Sequence, residues 1–439
     1  MEVEAKACGG RAKKTLLAIL SAILAFNYVD RQVLALVLQN IKTDLTLSDT
    51  QLGFLSGMAF AAFYAVMGIP IGRLADRGNR VAIISVTTAV WSAFVMLCGA
   101  ATSFMQLFLV RIGVAVGEAG CIPPAQSLLS SFFARGERAR AFATYSLGSP
   151  LSVILGGCAA GWINQYYGWR ATFVILGCPG IPLAILAWSV LREPRLSTAT
   201  HAPTELPGTL VAPHHSLTAI ARALWTNITF RHLLIAHTLL YFFIYGVVVQ
   251  WQPAFFIRTH GLTTGELGTW QLLIWSVMGT LGVYSGGALC HRFLSYNERL
   301  QLRFMAVSMA IFGALNLLIY LSPSRYVALG LMVIAAPFYM AIAGPMFAIN
   351  QSVVPESMRA TAVALMLFFA NLIGMGLGGF AVGVTSDALA PMYANDSLRV
   401  TLFAFSSGFF WCAIHFWLAS RTVAGDIERA QVEYESGRS

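Results

Sequence analysis

Apolar runs of membrane-spanning length recur along the whole chain. Each is close to the roughly 20 residues that an α-helix needs to cross the hydrocarbon core of a bilayer. We identify twelve, at residues 16–39, 51–72, 81–102, 106–131, 141–164, 170–191, 232–256, 267–290, 303–322, 326–350, 360–386 and 398–420. With 57% hydrophobic and 11% charged residues, the chain cannot form one or two water-soluble domains. The sequence therefore predicts an all-α membrane protein with twelve transmembrane helices.

A polar stretch that contains Pro and His separates the sixth run from the seventh. The spacing predicts five segments: a cytoplasmic N-terminal tail at 1–15, an N-terminal six-helix bundle at 16–191, a cytoplasmic linker at 192–231, a C-terminal six-helix bundle at 232–420 and a cytoplasmic tail at 421–439.

Two short motifs recur at equivalent places in the two halves. The first is Gly72-x-Leu74-x-x-Arg77, which returns as Gly287-x-Leu289-x-x-Arg292. The second is Glu137-x-x-Arg140-Ala141-x-Ala143, which returns as Glu356-x-x-Arg359-Ala360-x-Ala362. The two motifs return after nearly the same length of chain. Such similar offsets predict a duplicated six-helix unit, and so two pseudo-symmetric bundles.

The positive charges predict the orientation. If the N-terminus is cytoplasmic, 21 of the 28 Lys and Arg residues lie on the cytoplasmic side and five on the opposite side. This bias is the positive-inside pattern of membrane proteins. We therefore expect a multi-pass protein of the inner (plasma) membrane with both termini in the cytoplasm.

Composition also excludes several functions. The net charge of +9 is spread between hydrophobic segments, which argues against a nucleic-acid partner. The seven cysteines form no CxxC pair, so neither a metal site nor a disulfide framework is indicated. No HExxH or GxSxG motif supports an enzyme. We expect no cofactor, and a monomer whose surroundings are membrane lipid.

The first apolar run contains a polar cluster near its middle. Asn27, Asp30 and Arg31 share one face of the predicted helix, and each intramembrane charge costs roughly 2.5 to 3.5 kcal/mol on insertion scales. Such residues turn toward a bundle interior or a water-filled cavity. We expect Asp30 to be the nearest partner of Arg31. The alternative is a static ion pair that only fixes helix packing.

The fourth apolar run carries a second pair of charges. Arg111 and Glu118 lie two turns apart on one face, and the small residues around Glu118 permit close helix contact. Of the 19 acidic residues, only Asp30 and Glu118 lie deep within predicted helices. Proton handling is therefore expected in the first half. The alternative is a packing helix whose Glu118 stays protonated.

The second half offers amphipathic side chains instead of charges. Tyr241, Tyr245, Tyr339 and Asn350 could line a cavity between the two halves with aromatic and hydrogen-bonding surface. The alternative is that they are packing or membrane-interface residues.

The loop after the second run carries a family signature. Gly72-Arg73-Leu74-Ala75-Asp76-Arg77-Gly78-Asn79-Arg80 resembles the loop signature of the major facilitator superfamily, although Asn79 stands where most members have glycine. The resemblance implies the major facilitator fold and alternating access. It also implies a conformational latch, whose expected members are Gly72, Asp76, Arg77, Arg80, Arg140 and Arg359.

Four motifs together resemble the bacterial branch of the Spinster family: Asn27-Tyr28-x-Asp30-Arg31, Asp76-Arg77-x-Asn79-Arg80, Gly117-Glu118-Ala119 and Arg192-Glu193-Pro194. This resemblance implies an amphiphilic lipid substrate, such as a lysophospholipid or a sphingoid phosphate. Sugar-acid:proton symporters share the Asp-Arg and Gly-Glu-Ala elements, so an organic-anion or sugar-acid symporter stays an alternative. Gly148-Ser149-Pro150 and Gly156-Gly157 loosely resemble the antiporter motif of the superfamily, which leaves a drug efflux antiporter open.

The sequence thus predicts a proton-coupled secondary transporter. The proton is the coupling ion, and Asp30 and Glu118 are the expected proton-coupling residues. The expected substrate-binding residues are Asn27, Arg31, Arg111, Tyr241, Tyr245, Tyr339 and Asn350.

Cysteine labelling tests the predicted orientation. The linker around Ser216 should face the cytoplasm, because the positive charges that flank it set that side. A cysteine substituted at Ser216 should therefore stay unmodified when an impermeant thiol reagent is applied outside intact cells. Modification from outside would show that the predicted orientation is wrong.

Overall fold

The computed structural model describes residues 10–194, 224–294, 297–354 and 358–436. In these ranges, ten helical stretches are long and apolar enough to cross a membrane. Two of them, Arg140–Val190 and Thr361–Arg429, have 51 and 69 residues. At about 1.5 Å per residue each is more than twice as long as a hydrocarbon core of about 30 Å. Each therefore contains two crossings.

The backbone breaks inside both long stretches. Gly168 has φ 79° and Ala394 has φ 47°, and a continuing right-handed α-helix excludes a positive φ. Gly168 separates the fifth predicted run from the sixth, and Ala394 separates the eleventh from the twelfth. The predicted fold, twelve transmembrane helices in an all-α membrane protein, is confirmed.

The helices of the first half are numbered 1 to 6 in chain order. They run over Gly10–Leu45 (helix 1), Asp49–Gly53 with Phe54–Ala59 and Phe60–Arg77 (helix 2), Arg80–Cys98 (helix 3), Phe104–Ala119 with Ile122–Phe132 (helix 4), Arg135–Ser146 with Gly148–Val153, Ile154–Ala159 and the first part of Ala160–Gly177 (helix 5), and the part after Gly168 with Gly180–Val190 (helix 6).

The helices of the second half are numbered 7 to 12. They run over Ile228–Tyr241 with Phe242–Val249 and Gln250–His260 (helix 7), Thr264–Gln271 with Leu272–Met278 and Gly279–Phe293 (helix 8), Glu298–Leu321 (helix 9), Arg325–Met340 with Ala343–Ser352 (helix 10), Arg359–Phe369 with Ala370–Met375 and Gly376–Tyr393 (helix 11), and Ser397–Ser406 with Gly408–Ser436 (helix 12).

Two predicted boundaries differ from these helices. Helix 1 includes Gly10, inside the predicted tail at 1–15, and helix 12 continues through most of the predicted tail at 421–439. Most of the predicted linker, with Ser216, lies outside the described residues, as does Glu356.

Five short π-helical segments interrupt the described helices. Four lie in matching helices of the two halves, at Phe54–Ala59 in helix 2, Ile154–Ala159 in helix 5, Leu272–Met278 in helix 8 and Ala370–Met375 in helix 11. The fifth, Phe242–Val249 in helix 7, has no counterpart in the described part of helix 1, which is α-helical over Gly10–Leu45. The segments in helices 2 and 8 are separated by nearly the same length of chain as those in helices 5 and 11. Both separations are close to the offsets of the two repeated sequence motifs. Four of the five segments thus recur at chain separations like those of the sequence motifs.

Residue contacts divide the chain into two compact units. The first unit contains helices 1 to 6 together with Gly261–Leu272, and the second contains the rest of helices 7 to 12. The segment Gly261–Leu272 was predicted to belong to the C-terminal bundle. It packs in the first unit because Thr264 Oγ1 donates a hydrogen bond to the Gly161 carbonyl at 2.9 Å and accepts one from Asn164 Nδ2 at 3.0 Å.

Glycines bring the helices of the first unit close together. A Cβ at Gly156 on helix 5 would lie 3.0 Å from the Val29 carbonyl oxygen on helix 1, and a Cβ at Gly117 on helix 4 would lie 2.7 Å from the Trp91 backbone nitrogen on helix 3. A larger residue at either position would push the helices apart. The close packing predicted around Glu118 is thus present, between helices 4 and 3.

Candidate functional site

Two ion pairs connect helix 1 to helix 4 inside the first unit. Arg111 Nη1 donates to Asp30 Oδ2 at 2.5 Å. Arg31 donates to Glu118 Oε2 from Nε at 3.2 Å and from Nη2 at 3.0 Å. We call these four residues the charge cluster. Its two negative and two positive groups balance when all four are ionised.

The pairing differs from the prediction that Asp30 is the nearest partner of Arg31. Neighbouring residues on an α-helix point about 100° apart, because each turn takes 3.6 residues. Asp30 and Arg31 therefore meet different groups on helix 4. Arg111 and Glu118 lie seven residues apart, which is about 10 Å along the helix axis, and the long arginine side chains span that difference. Each helix supplies one acid and one base.

Burial distinguishes the two pairs. The side chains of Arg111 and Asp30 are 2% and 1% exposed, whereas those of Arg31 and Glu118 are 22% and 0% exposed. Arg31 is thus the one member of the charge cluster that has partial access to the surface. A new charged group can reach the cluster at Arg31.

Each carboxyl group of the cluster keeps one oxygen without a partner. Asp30 Oδ1 and Glu118 Oε1 are buried and receive no hydrogen bond from the described residues. The other oxygen of each group faces an arginine. A proton can therefore bind to the unpartnered oxygen before the ion pair opens.

Aromatic rings surround the Arg31 guanidinium group. Its Cζ lies 5.4 Å from the ring centroid of Tyr28, 4.7 Å from that of Phe60 and 5.1 Å from that of Tyr64. Rings at these distances attract a cation through their negative faces. Sequence reasoning missed Phe60 and Tyr64, although two aromatic residues at i and i+4 on helix 2 share one face.

The other expected substrate residues of the first half lie in packed surroundings. Asn27 is 0% exposed, and neither its Nδ2 nor its Oδ1 has a hydrogen-bond partner among the described residues. Arg111 is held by Asp30. Arg31 alone among the three reaches a partly exposed position.

The structure brings three of the expected second-half residues together. The ring centroids of Tyr241 and Tyr245 lie 4.6 Å apart, and the Tyr339 hydroxyl donates to that of Tyr245 at 3.3 Å. The His237 ring joins the group at 4.8 Å from Tyr241. The fourth expected residue, Asn350, is buried, and its Oδ1 has no partner among the described residues. The second unit thus holds an aromatic group with a few hydroxyls.

Arg80, one of the expected latch residues, makes its contacts inside the first unit. Its guanidinium group pairs with Glu193, and its backbone N–H donates to Glu193 Oε2 at 2.7 Å. Its Nη1 donates to the Ser127 carbonyl at 3.0 Å and to Ser131 Oγ at 2.7 Å. Arg80 therefore ties the start of helix 3 to helix 4 and to the end of helix 6.

The structure shows less about the contacts of the other expected latch residues. A Cβ at Gly72 would have no neighbouring atom within 4 Å, so this position has open space beside it. Arg140 is exposed. The side chains of Asp76, Arg77 and Arg359 lie outside the part of the chain that the structure describes. The latch stays a prediction.

Comparison with known proteins agrees with this architecture. The family model of the Major Facilitator Superfamily matches residues 20–379. An MFS-type efflux pump of Mycolicibacterium smegmatis is 30% identical over 423 residues, which are 95% of each chain. A hexuronate transporter of Bacillus subtilis is 25% identical over 399 residues, which are 89% of this chain and 93% of that one. The crystal structure of a bacterial homolog of the human lysosomal transporter Spinster, inward-facing and unoccupied, matches with a TM-score of 0.83 and 29% identity over 95% of this chain and 99% of that chain.

The unequal burial of the two ion pairs predicts unequal losses of stability. Asp30→Asn leaves the buried Arg111 without its carboxylate and should cost about 3 to 5 kcal/mol. Glu118→Gln should cost less, because water can partly solvate Arg31. Melting temperatures of the purified protein in detergent measure both changes. Glu137→Gln, which alters an exposed carboxylate paired with Lys13, is the control and should have the smallest effect. Equal losses of stability from Asp30→Asn and Glu118→Gln would show that the two ion pairs do not differ in their access to water.

Proposed function

The chain belongs to the major facilitator superfamily as a transporter of Spinster type, and on that premise we propose that it is a proton-coupled secondary transporter of an amphiphilic anion, working by alternating access. The charge cluster is the observation that carries the proposal. It places a buried carboxyl group with an unpartnered oxygen beside an arginine that is partly exposed.

Proton and anion are linked through Arg31. In the ionised cluster both Nε and Nη2 of Arg31 donate to Glu118 Oε2. A proton that binds Glu118 Oε1 neutralises the carboxylate, so the guanidinium group keeps its positive charge but loses its counter-ion. An unpaired charge at this depth is costly. An anionic group of the substrate replaces the lost counter-ion, and so proton and anion favour each other's binding.

Asp30 has a different role in this scheme. Its pair with Arg111 is almost completely buried, which keeps the second guanidinium group neutralised. The cluster therefore gains one positive charge per proton at Glu118. One monoanionic head group restores neutrality.

The surroundings of Arg31 favour an amphiphile. Three rings contact its guanidinium group, and Arg111 is occupied by Asp30. One accessible cation among aromatic rings suits a single charged head group that is joined to a hydrocarbon tail. The aromatic group of the second unit, around Tyr241 and Tyr245, offers surface of the same kind.

A small organic or sugar acid is the second candidate. The 25% identity to a hexuronate transporter over most of both chains supports it. Such a substrate needs several directional hydrogen bonds. In the first unit these would have to come from Tyr28, Tyr64 and Arg31.

Glu118→Gln tests the proton step. The amide mimics the protonated acid and cannot exchange a proton, so gradient-driven accumulation in proteoliposomes should be lost while exchange of substrate across the membrane continues. Glu137→Gln is the matched control. A hydrogen bond from Lys13 holds the pKa of Glu137 below its usual range, so this exposed carboxylate stays ionised during the assay. Full gradient-driven transport by Glu118→Gln would remove Glu118 from the coupling mechanism.

Chain length separates the two substrate classes. Each buried CH₂ contributes roughly 0.8 kcal/mol, so affinity across a series of single-chain alkyl phosphates should rise about fourfold per methylene until the apolar surface is filled. Arg31→Ala should weaken every member by a similar factor, whereas Arg170→Ala, at an exposed position, should not. Competition by the series against a labelled member gives the affinities. A flat response to chain length, with short hydroxy acids as the best competitors, would favour the sugar-acid class.

A further inference from the structure

One aromatic ring contacts both arginines of the charge cluster. The centroid of the Phe60 ring lies 4.7 Å from Arg31 Cζ and 5.3 Å from Arg111 Cζ. The two guanidinium groups belong to different ion pairs, so this ring is shared between the Arg31–Glu118 pair and the Arg111–Asp30 pair. Phe60 is 2% exposed.

The local backbone sets the direction of this ring. Phe60 is the first residue after the π-helical segment Phe54–Ala59, and that segment alters the angle at which later side chains leave helix 2. The Tyr64 ring stacks on Phe60 at 5.7 Å with an interplanar angle of 23°. The side chain is thus held by its own helix and by a second ring.

Unlike a carboxylate, a phenyl ring has no proton to gain or lose, so its attraction for a cation does not change with pH. The carboxylate of Glu118 attracts Arg31 strongly only while it is ionised. The Phe60 ring attracts the same guanidinium group at every pH, through its quadrupole. It can therefore keep Arg31 in place during the interval when Glu118 has been protonated and no anion has yet bound.

We infer that Phe60 is a positioning residue of the charge cluster: its ring holds both guanidinium groups where they meet their carboxylates, and thereby sets the pH at which Glu118 exchanges its proton. This inference rests on the proposed function, since it assumes that Glu118 titrates. A simple packing role for Phe60 makes a different prediction. Packing depends on the shape of the ring, whereas attraction to a cation depends on the electron density of its face.

Ring fluorination separates these two roles without leaving a cavity where the Phe60 ring packs. Replacing Phe60 with 3,4,5-trifluorophenylalanine keeps nearly the same shape and weakens the negative face of the ring. The same replacement at Phe54 is the matched control. Phe54 lies in the same helix and packs its ring against Phe108 at 5.5 Å. Phe60→Leu, which removes the ring, gives the upper limit of the effect.

The readout is the melting temperature of the purified protein in detergent as a function of pH, which needs no substrate. Wild type should show a pH-dependent step that Glu118→Gln lacks. Fluorination of Phe60 should move the midpoint of this step upward by about half a pH unit, or roughly threefold in apparent proton affinity, because a loosened Arg31 stabilises the carboxylate less. Phe60→Leu should move it further, and fluorination of Phe54 should leave it unchanged.

The outcomes are distinct. A wild-type step whose midpoint is the same with fluorinated Phe60 would show that the ring only fills space, and would overturn the inference while leaving the proposed function intact. A change in melting temperature at every pH without a shift of the midpoint would have the same meaning. Absence of the Glu118-dependent step in wild type would overturn both the proton role of Glu118 and the inference. The fluorinated variant keeps the test decisive if Phe60→Leu does not fold.

Discussion

Two carboxylates and two guanidinium groups lie deep within membrane-spanning helices of the first unit, where three are buried and Arg31 is partly exposed, and all four must be neutralised. A single charge at that depth is costly, so each group has an oppositely charged partner on the facing helix. Around these pairs, Gly156 lets helix 5 pack closely on helix 1, and Gly117 does the same between helices 4 and 3. Phe60 then contacts both cations from helix 2. Helix packing and ion pairing thus stabilise the same placement of the four charged groups.

The same arrangement explains what can be learned from the sequence and what cannot. Hydrophobic length and the cost of an intramembrane charge are properties of a linear segment, so the twelve helices and the burial of Asp30 and Glu118 are predictable. Pairing is a property of two helices in space. The sequence places Asp30 beside Arg31, but their directions on the helix send them to different partners. Likewise, nothing in the loop signature indicates that Arg80 binds Glu193, which lies far along the chain at the end of helix 6.

The internal repeat is also seen in the positions of the π-helical segments. Helices 2 and 8, and helices 5 and 11, carry π-helical segments at offsets close to those of the repeated motifs. Helix 7 carries a further π-helical segment, Phe242–Val249, so the two halves share most of this backbone pattern, and they differ in chemistry. Acidic residues lie deep in helices 1 and 4, whereas the second unit gathers His237, Tyr241, Tyr245 and Tyr339. The buried charges thus lie in the first unit, and the aromatic group lies in the second.

In the proposed function an anion and a proton bind together, because Arg31 cannot hold an ionised Glu118 and a substrate anion equally well. Proton uptake on anion binding measures this linkage. Dodecyl phosphate is added to the purified protein in a weakly buffered solution with a pH indicator, above the pH of the Glu118-dependent step. With correction for the probe's own titration, wild type should take up about one proton per bound probe, and Glu118→Gln that still binds the probe should take up none. Binding to wild type without proton uptake, or equal uptake by Glu118→Gln, would show that Arg31 does not link the two ligands.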